Sequence, residues 1–155
     1  MVNRIRTSFA IALVAVAALV LQPGSAAAQS TGYAFYAVTP CRAVDTRIGY
    51  GGVMTLGSTR TFTMKGVCGV PTDAKAVSLN VTMTQPTMTG RAWLSLYPTG
   101  TTPVFTTLIF ADTDASISNG AIVPISEAAT EDLSALTLLK PGTVHMLLDV
   151  TGYFK

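Results

Sequence analysis

Residues 76–84 read AVSLNVTMT, and the alternation is strict: Val77, Leu79, Val81 and Met83 fall on one side, Ser78, Asn80, Thr82 and Thr84 on the other. A period of two fits a strand with one buried face and fits no helix. RTFTMK at 60–65 alternates in the same way and sets Phe62 beside Met64. Short runs rich in β-branched and aromatic residues follow at 91–97, 104–110, 134–140 and 144–150. Turn signals separate them: GYGG at 49–52, TMTG at 87–90, PTG at 98–100, PG at 141–142 and TG at 151–152. Spacings of roughly ten residues leave no room for crossover helices and argue against a parallel sheet. The expectation is an all-β fold, a single antiparallel β-sandwich, jelly-roll or immunoglobulin-like, of about eight or nine short strands. The one helix-like patch, ISEAATEDL at 125–133, reads as a loop with at most one turn.

The N-terminus carries a different pattern. Arg4 and Arg6 precede an apolar run from Phe9 to Leu21, and Ala26 and Ala28 supply the small residues of an A-x-A cleavage site. The run is 13 residues long, short of the roughly 20 that a membrane span requires. An export signal is predicted over residues 1–28, with one domain over 29–155 and a secreted, surface or periplasmic destination. Cleavage removes Arg4 and Arg6 and no acid, so the ten basic residues fall to eight, against eight acidic ones. A neutral chain lacks the electrostatic footprint of a nucleic-acid binder or an anionic-membrane binder, and neither partner is expected.

Cys41 and Cys68 are the two cysteines. In an exported chain an isolated pair predicts a disulfide. His145 is the single histidine, so the ligands of a structural zinc site are missing; no metal or cofactor is expected.

The stretch TPCRAVDTRIGYGG at 39–52 gathers Arg42, Asp45 and Arg47. Asp45 and Arg47, two apart, share a strand face, whereas Arg42 and Asp45 face opposite ways unless a bulge intervenes. An aspartic protease would need a second D-T/S-G loop, and Arg47 stands where its glycine belongs. Asp45 is therefore expected to be structural, in a polar cluster of Arg42, Asp45, Arg47 and Asp149, with Asp149 also capping the turn before Gly152. His145 and Asp149 are too far apart along a strand, about 13 Å, to form a hydrolytic pair. Asp112 and Asp114 form a D-x-D pair with two of the oxygens calcium requires, without the glycine and distal glutamate of an EF-type loop. Trp93 and Tyr97 share a face with Ser95, opposite Ala92, Leu94 and Leu96, and are the candidate sugar-stacking pair.

The series CRAVDTR, GVCGVP, AKAVSLNVTMTQPT, YPTG and the terminal DVTGYF resembles a module of exported proteins from soil bacteria such as actinobacteria, acidobacteria and myxobacteria. The likeness runs from about Tyr36 to Lys155. It departs at IFADTDAS, 109–116, where relatives carry a glycine-bearing stretch. The resemblance implies an accessory role at the cell surface and carries over no catalytic residue. The resulting expectation is a non-catalytic structural or adhesive module, its partner a copy of itself or a cell-surface polysaccharide. The second reading is a carbohydrate-binding module.

Overall fold

The computed structural model describes residues 32–138 and 141–155; the expected export signal at 1–28 lies outside the described residues. The chain runs through β1 (Phe35–Asp45), β2 (Met54–Thr55), β3 (Thr59–Phe62), β4 (Ala76–Thr87), β5 (Arg91–Pro98), β6 (Leu108–Ala111), β7 (Ser116–Pro124), β8 (Leu133–Leu138) and β9 (Thr143–Phe154). One sheet is ordered β1-β9-β4-β7, with the two-residue β2 also paired to β9; the other is ordered β3-β8-β5-β6. Leaving β2 aside, the eight remaining strands follow the order of a jelly roll, changing sheet at every step but β5 to β6, and every pairing is antiparallel. Of the two sandwich types expected, the topology selects the jelly roll.

The alternation of β4 places Val77, Leu79, Val81 and Met83 in the core. Opposite them, the second sheet contributes Phe62, Ala92, Leu94, Leu96, Leu108, Phe110, Leu133 and Ala135. Met64, just beyond β3, is buried alongside Phe62 as its spacing predicted. Cys41 and Cys68 form the expected disulfide, with Cα atoms 5.6 Å apart, and tie β1 to the loop before β4.

Three local readings change. The run 104–110 does not form a continuous strand; Val104 and Phe105 are exposed and pairing begins at Leu108. The cause is Thr107, whose buried hydroxyl accepts the Leu96 amide at 2.8 Å and takes the place of a ladder carbonyl. TG at 151–152 is no turn: β9 runs on to Phe154 through a bulge at Val150–Gly152. There the Phe35 ring lies against Gly152, and a Cβ at 152 would overlap that ring and come within 2.7 Å of the Tyr36 carbonyl oxygen, the packing of an aromatic over a strand glycine. Residues 125–132 are a loop, as expected. Finally β7, SISNGAIVP, is a full nine-residue strand that serine, asparagine and glycine concealed.

STGYAFYAV at 30–38 pairs with its own sheet from Phe35 onward. Phe35 lies opposite Phe154 and Tyr36 opposite Tyr153, the two tyrosine rings stacked with centroids 5.2 Å apart.

Replacing Cys41 and Cys68 together by serine is expected to cost about 3–4 kcal/mol, the loop-closure value for a link of this span. Urea denaturation measures it; an unchanged midpoint would show that the loop before β4 is held by packing alone.

Candidate functional site

The charged residues of the DTR segment come together on the outer face of the larger sheet. Arg42 pairs with Asp149 and Val44 with Leu148, so Ala43 is an extra residue, a β-bulge in β1. The bulge reverses the side-chain parity that would have put Arg42 and Asp45 on opposite faces. Arg42 then grips Asp149 through Nε at 2.6 Å and Nη2 at 3.0 Å, and reaches Asp45 Oδ2 through Nη1 at 3.2 Å. Arg47 folds back on Asp45 through Nε at 2.9 Å, Nη2 at 2.6 Å and its own amide at 3.0 Å. The result is a line of alternating charge, Arg47–Asp45–Arg42–Asp149, crossing from β1 to β9.

Asp45 is the buried member, 4% exposed, while both arginines keep one side toward solvent. The Arg47 fork holds the Asp45 carboxyl far below the usual carboxylate range; burial opposes this, and the Arg47 amide and Arg42 reinforce it. Asp149 accepts the Arg42 fork in mid-strand and makes none of the turn-capping bonds expected of it.

Thr46, the middle residue of the segment, is enclosed. Its hydroxyl is 0% exposed, accepts the Met146 amide at 2.9 Å and shares a hydrogen bond with His145 Nδ1 at 3.1 Å. It bounds the end of the β1 ladder as Thr107 bounds the start of that of β6. Among the described residues no buried side-chain polar atom lacks a partner, and no group of three acidic, histidine or cysteine side chains is placed to hold a metal. Asp112 accepts the Gly90 amide and Asp114 the Ala111 amide, so each D-x-D carboxylate braces the turn after β6.

Trp93 is half-buried, but Tyr97 is only 8% exposed, so the two do not present an open aromatic face.

Two features escaped the sequence reading. Asp132, fully buried, accepts the amides of Met64 and Lys65 at 3.0 and 2.9 Å and anchors the end of β3. Arg60, on β3, donates to the carbonyls of Tyr50, Gly52 and Val53 at 3.1, 2.6 and 3.0 Å. Through the latter it holds the GYGG turn in a left-handed backbone, with φ of 53°, 81° and 72° at Tyr50, Gly51 and Gly52. Between that turn, the Ala43 bulge, β3 and Glu131 lies an open cleft of about 480 Å³. An alternating pattern reports which face a residue takes; it carries no sign of a guanidinium that caps carbonyls seven to ten residues away.

No protein-family model matches the chain, and no curated protein matches it. Fold and site together define a disulfide-braced jelly roll whose most conspicuous charges are spent on one another.

Because the folded Asp45 carboxyl titrates below its ordinary value of 3.8, its contribution is complete above that pH. It is lost as the pH falls from there toward the folded value, since the unfolded chain protonates first. Thermal melts from pH 6 down to pH 2 should show Asp45→Asn less stable than wild type at pH 6, with the gap narrowing below about pH 4. Asp149→Asn, at a more open position, should lose less. A constant gap across the range would refute the ion-pair role.

Proposed function

We propose that this chain is an exported, non-catalytic structural module that acts by presenting and pairing its surfaces, with a second copy of itself as partner. The observation that carries the reading is the edge strand β7. It pairs with β4 residue by residue from Ala76–Pro124 to Thr84–Ser116 without a bulge. It holds no charged residue and has its proline only at the last position. Among the described residues no strand pairs with its other side.

Soluble proteins ordinarily blunt such an edge with lysine, proline or a bulge. The opposite edge, β1, has two register shifts and carries Arg42. The contrast favours β7 joining β7 over β7 joining β1. Antiparallel pairing of two β7 strands about Gly120 sets Ser118 opposite Ile122, and Ile122 is 62% exposed. Such a contact is isologous and closes on itself.

A non-catalytic role is supported by the charge line, in which each carboxylate is held by an arginine, and by the burial of Thr46. Export is supported by the leader-like sequence at 1–28, by the disulfide and by the resemblance to exported bacterial modules. Among the described residues no helix is long and apolar enough to cross a membrane.

Analytical ultracentrifugation across a concentration series tests the pairing. The wild-type chain should pass from monomer to dimer. Ser118→Lys with Ile122→Lys, which opposes like charges across the joint, should stay monomeric with an unchanged melting temperature. A wild type that is monomeric throughout, or a double variant that still dimerises, rules the pairing out.

A further inference from the structure

We infer that the cleft between the GYGG turn and β3 is a binding site for a neutral saccharide, with Tyr50 as its stacking platform and Glu131 as its hydroxyl acceptor. The inference is independent of pairing through β7, and it places the sugar away from Trp93 and Tyr97.

The cleft has the size of a small-ligand site, at about 480 Å³. Its apolar floor includes Ala43 and Phe62, both buried. Tyr50 lies in its wall with 54% of its surface exposed, although its backbone takes a left-handed conformation that costs a residue other than glycine of order 1–3 kcal/mol. Strain of that kind persists only where the surroundings hold it. Here Arg60 does so, and Gly51 continues the left-handed run at φ 81°, a conformation that suits glycine. The backbone that carries the ring is thus held before any ligand arrives, which lowers the ordering cost of binding.

The charges of the cleft select the ligand class. Arg60 is committed to three carbonyls, and among the described residues no carboxylate pairs with it. Its positive charge therefore remains in the wall and disfavours a cation. Glu131 accepts one hydrogen bond, from the Thr61 hydroxyl to Oε2, and among the described residues Oε1 accepts none. That carboxylate disfavours an anion and offers a free acceptor to a hydroxyl. An aromatic face, an acceptor oxygen and the hydroxyl oxygens of Thr61 and Thr63, whose protons go to Glu131 and the Thr130 carbonyl, suit a molecule with an apolar ring face and a rim of hydroxyl donors. A neutral sugar has both.

Isothermal titration with cellotetraose, chitotetraose and xylotetraose tests the site, with tetragalacturonate and choline as the anionic and cationic counter-probes. At least one neutral oligosaccharide should bind. Tyr50→Ala and Glu131→Gln should each weaken it by about ten-fold or more, as loss of a binding anchor does, while Trp93→Ala leaves it unchanged. Glu131→Gln is a near-isosteric change on the surface, so a lost affinity with an unchanged melting temperature is not a folding defect. No binding of any neutral probe, binding indifferent to Tyr50→Ala and Glu131→Gln, or preference for either counter-probe overturns the inference.

Discussion

One inserted residue, Ala43, decides where the charges of β1 can go. Cys41 and Val44 both face the core, the first opposite Val150 and joined to Cys68, the second opposite Leu148. In a regular strand residues three apart face opposite ways, so no unbroken β1 satisfies both. Had the parity been set from Val44 alone, Arg42 would point into the core, at the cost of a buried charge without a partner. The bulge absorbs the conflict. It keeps the disulfide and Val44 inside and puts Arg42 on the outer face, where Asp45 and Asp149 meet it. The ion line is thus the consequence of a packing requirement, and its members are the residues for which the bulge leaves no other place.

The same ladder explains the two ends of the motif series. CRAVDTR lies in and just after β1, and DVTGYF closes β9; the structure makes them neighbours, Arg42 beside Asp149 and Phe35 over Gly152. They are 107 residues apart between Arg42 and Asp149. Closing that separation costs entropy before any contact offsets it, so this ladder belongs with the slow, non-local steps of folding. Bidentate pairing and an aromatic packed on glycine are both strongly directional, and they fix the register once the ends have met.

How far the sequence could be read follows from the same division between local and distant causes. The faces of β4, the disulfide and the fold class were legible because alternation and cysteine count are local or global properties of the chain. Arg47 with Asp45 was legible because they are two residues apart. Arg42 with Asp45 depended on a bulge that only the partner strand reveals. The start of β6 depended on Thr107 meeting Leu96, and a threonine in a β-rich run looks like strand rather than its terminus. β7 was missed for a related reason: its inward residues are Ile117, Asn119, Ala121 and Val123, and Asn119, whose amide donates to the Thr107 carbonyl, breaks the apolar pattern.

The bulge that seats the charges also shapes the edge. An extra residue bends a strand and disrupts the row of amides and carbonyls that another strand would meet. β1 carries two such shifts and β7 none in its pairing with β4. A sheet open on both edges can add copies without limit, whereas a sheet blunted on one edge can pair only at the other. Under the pairing proposed above, the requirement that sends Arg42 outward therefore favours association through this sheet at two copies. An assembly larger than that would have to recruit the smaller sheet, whose edge strands β3 and β6 are four residues each and offer far shorter ladders.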